Sequence, residues 1–161
     1  MFAFKNSAYS SKLKNIISSV FIYSLLLFSS GCSGTRPDNL GVNDGKLAPC
    51  PSTPNCVCSQ SDQSDNEHYI QPFSYSGSKE KAKEKLLAAI LNSSGSKIIK
   101  NDSDYIYAEF TTLIMRFKDD VQFYFDDSSK IIHIKSASRL GSGDLGVNRK
   151  RMEDIRLKFE E

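Results

Sequence analysis

The sequence has no tryptophan, has only two histidines, and lacks the short motifs that identify common catalytic sites. We find no GxSxG, HExxH, GxGxxG or phosphate-binding Walker loop, each of which positions a nucleophile, a metal or a phosphate. Histidine is the side chain that titrates nearest to neutral pH, so its scarcity leaves few candidates for acid–base chemistry. These absences favour a binding or interaction module without a cofactor over an enzyme.

Acidic residues are also absent from the start of the chain. Three lysines precede the apolar stretch IISSVFIYSLLLF at residues 16–28, and small residues lead from it to Cys32. This layout is typical of a signal peptide, because about 13 apolar residues are fewer than the roughly 20 that a membrane-spanning helix needs. The segment resembles a bacterial lipoprotein signal, in which the cysteine is lipidated and becomes the first mature residue.

We therefore predict a signal peptide at residues 1–31 and a lipid on Cys32. An ordinary cleaved signal, which leaves Cys32 unlipidated, is the alternative. The prediction places the protein in the bacterial cell envelope, anchored to a membrane and facing the periplasm or the exterior. The remaining length suits a flexible tether at 32–48, rich in Gly, Asn, Asp and Pro, and a single domain at 49–161.

The charge balance argues against nucleic acid as a partner. The whole chain has a formal charge of +2, and loss of the three signal lysines turns it to −1. A nucleic-acid-binding protein would keep a basic excess after export. The partners that remain are the membrane, through the anchor, and an unknown protein or anionic small molecule.

Three further cysteines lie close together in the predicted exported part, where disulfides persist. A Cys50–Cys56 bond closes a short loop and would stabilise the fold by about 2 kcal/mol. A Cys56–Cys58 bond is sterically poorer, because only one residue separates the two cysteines and extended chain holds their Cα atoms about 6.6 Å apart, near the upper limit for a disulfide. We predict the Cys50–Cys56 disulfide and a free Cys58. The alternative is a redox or zinc module that adds His68, although the C-x5-C-x-C spacing is not a paired C-x2-C.

Hydrophobic periodicity predicts two amphipathic helices. One covers residues 79–91 with Ser78 as its N-cap, and the other covers 148–161 with Asn148 as its N-cap. Four β-rich runs lie between them, at 97–100, 105–117, 121–125 and 131–136, and a short apolar run at 70–75 is a further candidate strand.

Short polar turns separate these runs, which implies antiparallel neighbours. Along 121–125 apolar and polar residues alternate, so we expect one buried and one solvated face, with His133 on the solvated face. The predicted class is α+β: an antiparallel sheet of about four to five strands with both helices packed on one face.

The polar segment SASRLGSGDLGVNRKR, residues 136–151, lies between the last strand and the last helix. Its three glycines can expose backbone N–H groups to an anion, and Arg139, Arg149 and Arg151 add cations. Arginines in the first turn oppose the helix dipole, so an anion should compensate them. That anion is either Asp144, paired with Arg139 or Arg149 and capping the loop, or an external carboxylate, phosphate or lipid headgroup. Polar clusters at such junctions are more often structural, which favours Asp144.

Three segments resemble the domain of unknown function 1499 family of bacterial envelope lipoproteins and other exported or membrane-linked proteins. They are CPSTPNCV at 50–57, RFKDDVQF at 116–123 and KSASRLGSGDLGVNRKRMEDIR at 135–156. The resemblance covers about residues 47–159, and it implies no particular reaction. Cys58 and Gly143 stand where that family commonly has serine.

The polar residues that match the family pattern form our predicted ligand-binding or polar cluster. Its members are Arg116, Asp119, Asp120, Ser136, Ser138, Arg139, Asp144, Asn148 and Arg149. The favoured function is binding without covalent chemistry. The enzymatic alternative uses Asp119 or Asp120 as a base and Arg139 to hold an anion.

Overall fold

The computed structural model describes residues 34–161, and the predicted signal peptide and Cys32 lie outside the described residues. The strands are β1 Val42–Asn43, β2 Lys46–Leu47, β3 Cys56–Cys58, β4 Phe73–Ser74, β5 Ser96–Asn101, β6 Tyr105–Thr111, β7 Lys118–Asp126 and β8 Ile131–Ser138. The helices are α1 Lys79–Leu91 and α2 Val147–Glu160. Within the described range, neither helix is long and apolar enough to span a bilayer.

Six strands form one antiparallel sheet in the order β3-β8-β7-β6-β5, with β4 paired to the start of β8. β1 and β2 form a separate hairpin. The predicted α+β class with an antiparallel sheet is confirmed, and the strand count is higher than predicted. The candidate strand at 70–75 contains β4, and the additional strand of this sheet is β3, whose three residues are too few for a periodic pattern.

The end of β6 and the start of β7 differ from the predicted bounds of these strands. β6 ends at Thr111, and residues 112–117 form a loop instead of continuing the predicted strand 105–117. β7 begins at Lys118, where a turn was predicted. The apolar run Leu113-Ile114-Met115 has strand-like composition, yet these side chains are exposed and pair with no strand.

One face of the sheet carries the main core. Ile106, Ala108 and Phe110 alternate along β6 and join one buried cluster with residues of both helices. The helical members are Ala82, Leu86, Ala89, Ile90, Met152, Ile155 and Phe159. Ser78 caps α1 as predicted, because its hydroxyl accepts a hydrogen bond from the backbone N–H of Lys81.

The opposite face of the sheet is covered as well, so the prediction of a solvated face is wrong. Gln122 is only 1% exposed, and Tyr105 and Tyr107 are buried with Leu47 in a second apolar cluster. The cover is the N-terminal segment 34–48. Alternation within a strand reports side-chain polarity and cannot reveal a covering segment about 80 positions earlier in the chain.

The N-terminal segment 34–48 differs from the predicted flexible tether because side chains of the sheet hold it. Gly41 N–H donates to Gln122 Oε1 at 2.8 Å, and Lys135 Nζ donates to the carbonyls of Ala48 and Pro49. Its Asp and Gly residues form the tight β1–β2 turn, where left-handed backbone is required at residues 44 and 45.

His133 lies on this covered face and is not freely solvated. It is half-buried, and its ring stacks on Tyr124 with centroids 6.0 Å apart. Burial lowers the pKa of His133, which favours the neutral imidazole.

Candidate functional site

Two loops and the start of α2 enclose a pocket of about 390 Å³ at one end of the sheet. Residues 112–117 form the loop between β6 and β7, and residues 139–146 connect β8 to α2. The pocket is lined by Thr112, Phe117, Asp119, Ser138, Leu140, Gly141, Gly143, Asp144, Leu145 and Val147. Residues 116–123 and 135–156, two of the segments that resemble the domain of unknown function 1499 family, therefore meet at this pocket.

A larger open cavity of about 840 Å³ runs along residues 39–49 and Lys100. None of the predicted site residues lines it. We therefore regard the smaller pocket, which three of them line, as the candidate functional site.

Three side chains of the pocket lining have an unpaired hydrogen-bonding group. Asp119 is 2% exposed and its Oδ2 accepts from the guanidinium of Arg151, while its Oδ1 has no donor among residues 34–161. The Ser138 hydroxyl oxygen accepts from Asn148 Nδ2 at 2.9 Å, and its proton has no acceptor within the same range. The Thr112 hydroxyl oxygen accepts from Phe117 N–H at 2.8 Å, and its proton likewise has no acceptor within residues 34–161. The pocket thus presents one unpaired acceptor and two hydroxyl donors beside its apolar wall.

A buried network supports the floor of the pocket. The Ser136 hydroxyl donates to Asn148 Oδ1 at 2.5 Å, and Arg151 Nη1 donates to both residues at 3.0 and 2.6 Å. Asn148 Nδ2 also donates to the carbonyl of Asn55, which ties the cysteine loop to α2. Ser136 and Asn148 are completely buried, so they position the site and do not face a ligand.

Asp144 caps α2 from outside the helix. Its Oδ1 accepts from Gly146 N–H at 2.9 Å, and its Oδ2 accepts from Asn148 N–H at 2.8 Å and Asn148 Nδ2 at 2.7 Å. The helix begins at Val147 after Gly146, so the predicted Asn148 N-cap is wrong. The internal anion at the helix dipole is indeed Asp144, but backbone amides bind it, not Arg139 or Arg149.

Arg139 and Asp120 lie on the other face of the sheet, beneath the N-terminal segment. Arg139 Nη2 contacts Asp120 Oδ1 at 2.7 Å and Glu109 Oε1 at 2.5 Å. Arg36 from the N-terminal segment contacts the same Glu109 oxygen at 2.5 Å. Side chains alternate along β7, so Asp119 faces the pocket while Asp120 faces away from it. Arg139 is therefore occupied and separated from the pocket.

The remaining two predicted site residues lie apart from the network. Arg116 is exposed in the loop 112–117 and has no hydrogen-bond or ion-pair partner in the part of the chain that the structure describes. Arg149 Nη2 donates to the backbone carbonyls of Asn66 and Glu67 at 3.2 and 3.0 Å. The structure thus gives neither arginine a place in the pocket lining.

Arg151, which binds the pocket carboxylate, was named only as a cation of the segment 136–151 and was left out of the predicted cluster. Arg36 and Glu109 on the covered face were missed. Helical spacing could have found Arg151, because a residue three positions after Asn148 shares its side of the helix. No local pattern connects Arg36 to Glu109, which is 73 positions later.

The cysteines behave as predicted. Cys50 and Cys56 form a disulfide, which is confirmed, and Cys58 is a buried free thiol. Burial raises the pKa of Cys58, which disfavours the reactive thiolate that a redox module needs. His68 bonds to Asp65 Oδ2 and to the Thr53 carbonyl. The three-sulfur, one-nitrogen zinc set is therefore not assembled, and residues 34–161 contain no other group of three potential metal ligands.

Comparison with known families gives a match over residues 46–159 to the family described as "Protein of unknown function (DUF1499)". This range is most of the chain, and it confirms the resemblance seen in the three segments. A comparison with curated proteins finds no match. The matched range contains every residue that lines the pocket.

Proposed function

The chain belongs to the DUF1499 family, whose function is unknown, and we propose that it is a lipid-anchored binding module of the bacterial cell envelope. Its ligand is an amphipathic molecule that occupies the pocket without covalent chemistry. The observation that carries this proposal is the combination, in one pocket, of an apolar wall with an unpaired hydrogen-bond acceptor and hydroxyl donors. The anchor is proposed from the sequence before Ser33, with Cys32 as the lipidated residue.

The apolar wall favours a ligand with an apolar part. Phe117, Leu140 and Val147 line the pocket and are all partly exposed, and Leu145 is fully exposed. Removing apolar surface from water contributes about 25 cal/mol per Å². A ligand that covers these side chains gains this binding free energy without any rearrangement of the core.

The polar groups favour a neutral or cationic head. Asp119 and Asp144 line the pocket, and no lysine or arginine does so. An anionic small molecule was one of the predicted partners because of Arg139, Arg149 and Arg151, but all three bind other groups of the protein. A head that donates to Asp119 Oδ1 and accepts from Ser138 fits the pocket better, because a carboxylate or phosphate would approach two aspartates.

Covalent chemistry has no comparable support. The enzymatic alternative needs a carboxylate base and Arg139 at one ligand. Asp119 faces the pocket, whereas Asp120 and Arg139 pair with each other on the opposite face of the sheet. The carboxylate that faces the pocket and the arginine that would bind an anion therefore cannot contact the same substrate.

Native mass spectrometry of the full chain, purified from its own envelope in mild detergent, tests the proposal. We expect a retained small amphiphile and, in the same spectrum, the added mass of a lipid on Cys32. Val147→Glu should reduce ligand occupancy about tenfold, because it places a charge in the apolar wall. Glutamate is compatible with the first turn of α2, where no acidic residue now stands, so the variant should fold.

Leu157→Glu is the control, because Leu157 is exposed on the same helix but lies outside the pocket lining. Equal occupancy in Val147→Glu and Leu157→Glu would contradict a ligand in this pocket. A chain that retains no small molecule would contradict the binding function itself.

A further inference from the structure

Four large apolar side chains project into solvent from the two loops that flank the pocket. Leu113, Ile114 and Met115 are 89%, 87% and 62% exposed, and Leu145 is fully exposed across the pocket. We call these four residues the apolar rim. Scattered single apolar residues are normal on a surface, but a cluster of this kind marks an interaction site.

The described part of the chain begins next to the pocket that the rim flanks. Gly34 packs so closely on the site that a Cβ on it would lie 2.8 Å from Arg139 Cβ and 3.1 Å from Leu140 Cγ. Leu140 lines the pocket. Cys32 is two positions before Gly34, and two residues of extended chain reach at most about 7 Å. A lipid on Cys32 would therefore enter its membrane close to the pocket.

The charge of the rim loop also suits a lipid surface. Residues 112–117 contain no acidic residue, and Arg116 has no hydrogen-bond or ion-pair partner within residues 34–161. An arginine beside apolar residues can keep its guanidinium at the level of lipid phosphates while the neighbouring side chains enter the acyl region.

We propose that the apolar rim docks on the bilayer that holds the Cys32 lipid, and this inference rests on the lipid anchor proposed above. The rim inserts shallowly, Arg116 contacts headgroup phosphates, and the mouth of the pocket faces the membrane. The amphiphile that enters the pocket then comes from the membrane itself.

The absence of tryptophan from the chain makes a direct test simple. Met115→Trp and Leu157→Trp each introduce a single tryptophan at a position that is 62% exposed. Leu157 lies ten residues beyond Val147 along α2, which places it about 15 Å from the pocket. Each full-length lipidated variant is reconstituted in vesicles of phosphatidylethanolamine and phosphatidylglycerol, with and without brominated acyl chains.

We expect brominated lipid to quench Met115→Trp at least about twofold more than Leu157→Trp, because the rim enters the acyl boundary. Equal quenching in chains whose intact mass shows the Cys32 lipid would overturn the docking and leave the anchor standing. Absence of that lipid would overturn both. A blue shift of Met115→Trp that grows with protein density, without quenching by brominated lipid, would assign the rim to a second copy of the chain and also overturn the docking.

Discussion

Asp119 and Asp120 are neighbours in sequence, but their carboxylates have different partners because they lie on opposite faces of β7. Asp119 faces the pocket and binds Arg151. Asp120 faces the N-terminal segment and binds Arg139 at 2.7 Å. Each carboxylate is almost fully buried, so each needs its cation to offset the cost of leaving water.

Arg139 and Arg149, two of the three arginines in the predicted ligand-binding or polar cluster, should differ strongly in their effect on stability. Arg139→Ala should lower the free energy of unfolding by about 3–5 kcal/mol, because Asp120 loses its cation while it stays buried. Arg149→Ala should cost only about 0.5 kcal/mol, because its side chain caps exposed carbonyls at the surface. Urea unfolding of both variants and the wild type measures the difference.

Adding Asp120→Asn to Arg139→Ala should recover part of the loss, because no uncompensated carboxylate then remains at that position. Equal losses in the two alanine variants would mean that the ion pair between Arg139 and Asp120 contributes little in solution.

At the scale of elements, the start of α2 depends on a carboxylate that precedes the helix. Asp144 accepts three hydrogen bonds, two from backbone N–H groups and one from the buried Asn148 amide. Asp144→Ala should therefore lower stability by about 1–2 kcal/mol, at the upper end for a helix cap. Thermal or urea unfolding measures this loss.

Asp154→Ala is the matched control for this prediction. Asp154 pairs with Lys150 on the exposed side of α2, so its removal should cost no more than about 0.5 kcal/mol. A loss at Asp144 no larger than the loss at Asp154 would show that the cap is unimportant.

The elements that the sequence predicts well are those with local signals. The bounds of α1 and its Ser78 cap follow from helical spacing and a serine before the first turn. The loop 112–117 was mistaken for strand, because the run Leu113-Ile114-Met115 has strand composition and only the tertiary structure shows that it is exposed. The N-cap of α2 was predicted two residues too late, at Asn148 instead of Gly146, because the capping carboxylate of Asp144 lies outside the usual position.

Local sequence signals also predicted part of the candidate site. Asp119, Ser138 and Asp144 belong to segments that resemble the family, and they do line one pocket. The partners of Arg139 could not be predicted, because Glu109 lies on another strand and 30 positions away. A single sequence contains charges but not their pairing, which depends on strand register and on which face each residue occupies.

At the scale of the whole molecule, one carboxylate joins the N-terminal segment to the sheet. Glu109 on β6 accepts hydrogen bonds from Arg36, which precedes the β1–β2 hairpin, and from Arg139, which directly follows β8. We therefore expect the cover of this face to depend in part on the charge of Glu109. The effect of acid on the fold is a direct measure of that dependence.

Acid should weaken the fold through Glu109. Burial by itself would raise the pKa of Glu109, but hydrogen bonds from Arg36 and Arg139 outweigh it and lower the pKa from 4.5 to about 2. A carboxyl whose pKa is lower in the folded state contributes stability that is fully present above the unfolded pKa and is lost as the pH falls towards the folded value. We therefore expect the difference in unfolding free energy between wild type and Glu109→Gln to shrink steadily from about pH 5 to about pH 2.

Urea unfolding across this pH range measures that difference. Asp126, whose pKa is also lowered to about 2 by hydrogen bonds from Ser128 and Ser129, is present in both proteins, so its contribution cancels. Arg36→Ala should reduce the pH dependence without abolishing it, because Arg139 still donates to Glu109. Parallel pH curves for wild type and Glu109→Gln would show that the contact between the N-terminal segment and the sheet does not depend on this charge, and that apolar burial around Leu47 and Tyr107 holds the segment instead.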